Sequence, residues 1–252
     1  MKLARNTSSI GELNHFNNQL QRVEIHDGTG SSSKSTSLNE SIPNTSHVTS
    51  FITSKSIKLI VFDLHGTLTN RASIHPYHVE YRNKYVERKN KQNGPNKFDL
   101  TLENVFSAFS DSDLKEYYFY RDNDPLFLFD KIHSVTPGLS FRLQQIKNSF
   151  HTILHSDSYQ KQIDKTLDSI GLQDDFDLVV GIEDGYTKKH SQLRLYNDLC
   201  AKFDIGIENV LIVGDRMDKD IDPLVNAGGN GIKVESSEYI MAALDIIDLL
   251  AI

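Results

Sequence analysis

The chain has 252 residues, with 27 Lys and Arg against 34 Asp and Glu, and a formal net charge of -7 at pH 7. This length is typical of one or two domains. Acidic residues outnumber basic ones, so the chain has no excess of the basic residues on which general nucleic-acid-binding proteins depend. The single cysteine, Cys200, excludes an intrachain disulfide framework and a cysteine-based zinc site, and it is typical of a reducing compartment.

The apolar residues form no membrane-directed segment in this sequence. The first residues run straight into a polar stretch, without the apolar centre of a signal peptide. No window approaches the roughly 20 apolar residues of a membrane-spanning helix. We therefore expect a cytoplasmic protein that engages neither membranes nor nucleic acid.

The first 56 residues predict a polar, largely flexible, disordered leader. About half of residues 28–56 are Ser or Thr, and so polar a segment cannot bury enough apolar surface to offset the entropy lost on ordering. Before it, five apolar residues have loosely helical spacing: Ile10, Leu13, Phe16, Leu20 and Val23. They allow a short amphipathic helix that packs on the body or recruits a partner, although a frayed or weakly docked segment fits the spacing better.

Ordered structure is expected from Ile57 onward. Residues 57–62 form a nearly continuous apolar run rich in β-branched side chains, which is typical of a strand buried on both faces. Four further runs have the same character: 150–154, 178–182, 210–213 and 231–234. Helical patterns lie between most of them, and this alternation predicts an α/β fold with a doubly wound parallel sheet.

Polar side chains follow each of the first four strands, at the edge where ligands bind on such sheets. Residues 63–69 follow the first strand, and Ser156 and Asp157 follow the second. Glu183, Asp184, Lys188 and Lys189 follow the third strand, and residues 214–220 follow the fourth. Asp63 is a candidate carboxylate nucleophile, and Asp215, with Asp218 or Asp220 behind it, offers the oxygen ligands that Mg²⁺ prefers. A lysine and a hydroxyl suit the charge that develops on phosphoryl oxygens. Together, the carboxylates, the lysine and the hydroxyl favour phosphoryl transfer as the reaction.

These motifs resemble those of the haloacid dehalogenase superfamily of phosphatases. The family has Asp-x-Asp-Gly-Thr-x-[Thr/Val] after an apolar strand, then a Ser or Thr ending a strand, then a Lys, and finally Gly-Asp-x-x-x-x-Asp. The chain matches them at 63–69, at Ser156, at Lys188 or Lys189, and at 214–220. The resemblance covers residues 57–234 and implies a Rossmann-like core made of residues 57–69 and 137–252.

The resemblance also implies a Mg²⁺-dependent phosphatase, a hydrolase that acts on a small phosphorylated metabolite through an aspartyl-phosphate intermediate. In this interpretation Asp63 attacks phosphorus, and Ser156 and Lys189 hold the phosphoryl oxygens. The implied metal ligands are Asp63, the carbonyl of His65, Asp215 and Asp220. Phosphate contacts are expected from Gly66, Thr67, Asp157 and Lys188.

His65 departs from the family pattern, because the residue two after the nucleophile is usually an Asp that serves as acid and base. An imidazole has an unperturbed pKa of about 6.5, which suits proton transfer near neutral pH. His65 therefore either replaces that Asp or marks decayed chemistry. In the second case the chain is a pseudo-phosphatase that binds a phosphorylated ligand or a protein. A phosphorylated receiver-like domain is a weaker third alternative, because receivers have short connections after the first strand.

Residues 70–136 interrupt the alternation and predict a small helical cap domain. Tyr77, Tyr81 and Tyr85 share one helical face, residues 102–109 form a second pattern, and Ser110 or Asp111 opens a third helix. The resemblance implies that such an insert closes over the site and selects the substrate. Its aromatic side chains are expected chiefly to form the core of the cap. The apolar spacing of residues 240–251 predicts a closing helix, and the chain is expected to be a monomer or a homodimer.

Overall fold

The computed structural model describes residues 22–28, 56–70, 75–93, 109–123, 135–188 and 191–251. The strands are β1 (Val23–Asp27), β2 (Leu59–Asp63), β3 (His151–His155), β4 (Leu178–Val180), β5 (Val210–Gly214) and β6 (Asn230–Val234). The α-helices are α1 (His75–Asn93), α2 (Asp111–Asn123), α3 (Leu139–Lys147), α4 (Gln160–Ile170), α5 (Gln192–Phe203), α6 (Asp222–Val225) and α7 (Ile240–Leu250). Their order confirms the predicted alternation of strands and helices.

The six described strands form one sheet in the order β1-β6-β5-β2-β3-β4. Neighbouring strands from β6 to β4 run parallel, whereas β1 pairs antiparallel with β6. Strand β2 is central, flanked by β5 and β3. Because the parallel strands end at one edge, the segments that follow β2, β3, β4 and β5 meet there.

Both faces of the sheet are covered by helices. Ile60 and Phe62 of β2 belong to an apolar cluster that includes residues of α3, α4 and α7. Leu59 and Val61, which point the other way, belong to a second cluster with residues of α5 and α6. This alternation explains the continuous apolar run of β2 and confirms the doubly wound, Rossmann-like fold.

One helix end and one strand end show how local sequence sets the boundaries. Gly171 ends α4 in the left-handed conformation, as its position after the helical pattern predicts. Strand β4 is shorter than the apolar run 178–182, because the carboxylate of Asp184 accepts a hydrogen bond from the amide of Gly181 at 3.0 Å. That bond closes a 3₁₀ turn over Ile182–Asp184.

Strand β1 lies within the segment that the sequence predicts to be a flexible leader, and the helical spacing that includes Val23 does not hold there. Val23 is buried in the core, and Lys233 of β6 donates a hydrogen bond to Glu24 at 2.6 Å. A five-residue edge strand has little periodic signal of its own, since its order comes from pairing with β6. The other leader residues up to 55 lie outside the described residues, apart from Arg22 and Gly28.

The insert of residues 70–136 contains two described helices, α1 and α2, as its tyrosine spacing and its capping residues predict. Tyr85 and Tyr117 are fully buried, and their rings meet edge to face at 5.2 Å. Their packing fits the expectation that the aromatic side chains form the core of the cap. Most of the pattern over 102–109 lies outside the described residues. None of the helices in the described ranges is long and apolar enough to cross a bilayer.

Candidate active site

The loop after β2 presents Asp63 on a tight turn. The amides of Leu68 and Thr69 both donate to the carbonyl of Leu64, and the amide of Gly66 donates to the carbonyl of Thr69. These bonds fold the loop back on itself, so that Thr67 Oγ1 donates to Asp63 Oδ2 at 2.9 Å. The hydroxyl fixes the orientation of a carboxylate that is only 5% exposed.

Gly66 allows this loop to approach the segment after β5. Its φ of 100° lies in the left-handed region, and a Cβ added there would collide with the carboxylate of Asp215. A larger residue would therefore separate the first and fourth motifs. The glycine of the first motif is required by this close approach.

Three carboxylates meet at this edge of the sheet. Asp63, Asp215 and Asp220 each offer an oxygen within 4.8 Å of the others. A π-helical turn over Met217–Ile221 carries Asp220, whose Oδ2 accepts from the amide of Arg216 at 3.0 Å. Asp218 is exposed and pairs with Arg216 instead. Of the two residues that the sequence leaves open behind Asp215, the fold brings Asp220 into the cluster.

Lys188 is the lysine that enters this cluster. Its Nζ contacts Asp63 Oδ1 and donates to Asp220 Oδ1 at 2.7 Å. Its backbone amide donates to Asp157 Oδ1 at 2.8 Å. Lys189, the other lysine that sequence reasoning considered for the third motif, lies outside the described residues.

Burial and charge compete at these groups. Burial alone would lower the pKa of Lys188, but Asp220 and Asp63 raise it above its ordinary value, so the ammonium form persists. Burial raises the pKa of Asp63, and Lys188 opposes that rise. The pKa of Asp220 is likewise raised by burial against the influence of Lys188. The lysine thus favours the ionised state of both carboxylates.

Ser156 and Asp157 follow β3 at the same edge. Ser156 is buried, and its amide donates to the carbonyl of Val180 at 3.0 Å, which fixes it beside the end of β4. Asp157, predicted as a phosphate contact, accepts from the backbone of Lys188. Burial raises the pKa of Asp157, and Lys188 opposes this. Asp157 therefore joins the loop after β3 to the loop that carries the lysine.

A family model for a haloacid dehalogenase-like hydrolase matches residues 57–228, which include every one of these groups. The chain belongs to the haloacid dehalogenase-like hydrolase family. A comparison with curated protein sequences gives no match.

Among the solved structures similar to this hydrolase is a haloacid dehalogenase-like family hydrolase from Xanthomonas campestris. It is 16% identical, with 79% of this chain and 94% of that chain covered and a TM-score of 0.49. A predicted phosphoglycolate phosphatase from Haemophilus somnus is 19% identical, with 70% and 84% covered and a TM-score of 0.46. L-2-haloacid dehalogenase from Xanthobacter autotrophicus is 15% identical, with 69% and 76% covered and a TM-score of 0.45. Family membership rests on the family model.

His65, the residue in which this hydrolase departs from its family's first motif, lies half-buried in the loop after Asp63. Its Nδ1 is 3.5 Å from Thr69 Oγ1. The cluster of three aspartates forms without the imidazole ring. His65 therefore stands beside the nucleophile, within the loop that positions it.

Sequence reasoning missed His155, which ends β3 directly before Ser156. Its Cα pairs with that of Asp63 across the sheet, its side chain is 0% exposed, and neither ring nitrogen has a hydrogen-bond partner among the described residues. Burial, with the charge of Lys188 second, lowers the pKa of His155 well below its usual value. A histidine that directly follows the apolar pair Ile153 and Leu154 and precedes Ser156 is the signal that marks it in the sequence.

Proposed function

We propose that this hydrolase is a Mg²⁺-dependent phosphatase that acts on a small phosphorylated metabolite. The observation that carries the proposal is the buried contact of Lys188 with Asp63 and Asp220, beside Asp215. It combines a carboxylate nucleophile, a cation and spare oxygen ligands at the carboxyl edge of the sheet.

A divalent cation fits this donor set. The three carboxylates outnumber the one ammonium group that contacts two of them among the described residues. Such an excess of carboxylate oxygen ligands is what Mg²⁺ takes in phosphoryl-transfer sites. Bound by Asp63, Asp215 and Asp220, with the His65 carbonyl as a further expected ligand, the ion would neutralise charge on the phosphoryl oxygens. This charge balance favours a phosphate ester over a carbon–halogen bond as the group that is cleaved.

The residues of this site divide the reaction between them. A carboxylate oxygen of Asp63 attacks phosphorus, and the bond from phosphorus to the ester oxygen breaks. His65, as imidazolium, gives a proton to the departing oxygen, then as imidazole takes one from water. That water attacks phosphorus and releases phosphate and the Asp63 carboxylate. Lys188 and Ser156 hold the phosphoryl oxygens, while Thr67 keeps Asp63 oriented.

A second candidate function is a pseudo-phosphatase that binds a phosphorylated ligand without turning it over. The observation in its favour is His65 itself, whose ring lies near Thr69 of its own loop rather than within the acidic cluster. In this case the cluster and Lys188 would still bind phosphate and a cation, but turnover would be absent.

The decisive experiment is a hydrolysis screen over sugar phosphates, nucleotides and small phosphorylated acids, with Mg²⁺ and with EDTA. We expect phosphate release that requires Mg²⁺. Asp63→Asn should abolish it, because an amide of nearly the same shape cannot form the acyl phosphate. Asp218→Asn is the matched control, since Asp218 lies in the fourth motif but outside the cluster. Turnover by Asp63→Asn would contradict the mechanism, and phosphate binding without turnover in the wild type would favour the second function.

A further inference from the structure

Among the described residues, hydrogen bonds join helix α2 of the insert to the core at three places along its length. Near its start, Thr187 Oγ1 donates to Asp111 Oδ1 at 2.9 Å. In the middle, Tyr159 donates from its hydroxyl to the carbonyl of Lys115 at 3.0 Å. In the last turn, Arg121 donates to Ser158 Oγ at 2.7 Å. One helix thus spans the loops that follow β3 and β4.

The two end contacts lie next to residues of the active site. Thr187 precedes Lys188, and Ser158 follows Asp157 in the chain. The same two loops are already joined by the bond from the Lys188 amide to Asp157. Helix α2 therefore closes a ring of hydrogen bonds around the loops that present Lys188 and Ser156.

The contact of Arg121 with Ser158 is a buried one. Arg121 is 3% exposed and Ser158 is 1% exposed, and the guanidinium packs over the ring of Tyr118 at 4.7 Å. A buried guanidinium costs free energy unless it is hydrogen-bonded, so its geometry is held more strictly than that of a surface arginine. Ser158 is fixed in turn, because its carbonyl accepts from the amide of Ile182 at 3.0 Å.

We propose that α2 is a clamp that positions the two catalytic loops, with Asp111 and Arg121 as its positioning residues. Asp111 holds Thr187 and so orients Lys188, and Arg121 holds Ser158 and so orients Ser156 and Asp157. The effect on rate rests on the proposed phosphatase function, whereas the effect on loop order does not. Placement of reacting groups matters because a misplacement of about 1 Å costs on the order of 10²-fold in rate.

The test compares Arg121→Ala and Asp111→Ala with Arg88→Ala. Arg88 is the matched control, because it also packs over a tyrosine of the insert, Tyr120 at 4.1 Å, but its contact stays within the insert. Amide hydrogen exchange is measured over residues 156–159 and 185–188, and kcat and KM are measured with p-nitrophenyl phosphate. Circular dichroism confirms that each variant is folded, and Ser158→Ala breaks the same contact from the core side.

In Arg121→Ala and Asp111→Ala we expect faster amide exchange in both loops. We also expect kcat to fall about 10- to 100-fold, with a far smaller change in KM. These results would support the clamp if Arg88→Ala shows neither effect. Asp111→Asn, whose amide oxygen still accepts a hydrogen bond, should restore most of the kcat lost in Asp111→Ala. Unchanged exchange in Arg121→Ala and Ser158→Ala would overturn the proposal. If the wild type hydrolyses no phosphate ester, the proposed function fails and the exchange result alone decides on the clamp.

Discussion

At the scale of single residues, His65 decides whether the site can turn over a phosphate ester or only bind one. The other motifs of the family are intact: Asp63, Lys188 and Asp220 meet at the expected edge of the sheet. Decay would be expected to erode several of these positions together. A histidine two residues after an intact nucleophile is therefore better explained as a working acid and base than as a relic.

This explanation predicts a loss of activity in His65→Ala and also in His65→Asp. Without an acid and base, kcat/KM should fall by about 10²–10⁴-fold. An Asp would be shorter than the imidazole and would add a negative charge beside Asp63. The measurement is kcat/KM against pH for the wild type and both variants, with the exposed His151→Ala as the control. Equal activity in the wild type and His65→Ala would remove His65 from the mechanism, and a gain in His65→Asp would indicate decay.

A second residue-scale prediction concerns stability and His155. Burial, and then Lys188, hold its pKa well below the usual value. In the unfolded chain the imidazole takes a proton as the pH falls through about 6.5, whereas in the folded chain it does not until a lower pH. The unfolded state therefore binds more protons in this window. Acidification below about pH 6.5 should lower the free energy of unfolding, by at most about 1.4 kcal/mol per pH unit.

His155→Leu should flatten this acid dependence in urea unfolding between pH 7 and pH 5. The raised pKa values of the buried carboxylates act in the opposite direction, since protonating them favours the folded state. They remain in the variant, so the difference between the two curves reports on His155. His151→Leu, on the exposed end of the same strand, controls for the loss of a histidine. Parallel curves for the wild type and His155→Leu would contradict the prediction.

The sequence predicts much of this site because its groups sit directly at strand ends. The parallel sheet then brings Asp63 and Asp215 together without further information. Asp220 lies in the turn over Met217–Ile221, and the sequence alone leaves it open against Asp218. The choice between Lys188 and Lys189 is different, since neighbouring residues in a loop point in directions that only the turn decides. The contact of Arg121 with Ser158 joins positions 37 residues apart with no shared period, and no pattern in one sequence connects them.

At the scale of elements, β1 is the strand that the sequence does not reveal. It covers the outer edge of β6, which would otherwise offer unpaired backbone groups to other chains. Val23 faces the core and Glu24 the other side, where Lys233 pairs with it. Only the short alternation of Val23 to Asp27 encodes this strand, directly before a stretch, residues 28–56, in which about half of the residues are Ser or Thr.

Val23→Asp should therefore destabilise the whole domain. It places an unpaired carboxylate where a side chain is buried against the core, at a cost of about 2 kcal/mol or more. Glu24→Thr is the control on the opposite face, and the loss of a partly exposed ion pair should change stability by less than about 1 kcal/mol. Urea unfolding measures both. Equal midpoints for the two variants would show that β1 is only loosely attached to the sheet.

At the scale of the whole molecule, the site ties separate parts of the sheet together. Asp63 is the last residue of β2, Asp215 and Asp220 lie in the segment after β5, and Lys188 lies in the segment after β4. Three carboxylates held within 4.8 Å of one another repel, and among the described residues the ammonium group of Lys188, which contacts two of them, offsets part of that repulsion. The folded chain thus bears an electrostatic cost at the point where its strands converge, and a divalent cation would relieve it.

Mg²⁺ should accordingly raise the melting temperature in the absence of any substrate. A ligand that binds only the folded state stabilises it by about 2.7 kcal/mol at 100 times its Kd. For a chain of this size, that corresponds to a rise of roughly 5–10 °C. Asp215→Asn should lose most of the Mg²⁺-dependent rise, and it should melt higher than the wild type in EDTA because one repulsive charge is gone. Asp218→Asn, whose carboxylate lies outside the cluster, should respond to Mg²⁺ like the wild type. The same rise in Asp215→Asn as in the wild type would place the cation elsewhere. No rise in the wild type would remove the cation from this site, whichever substrate the enzyme cleaves.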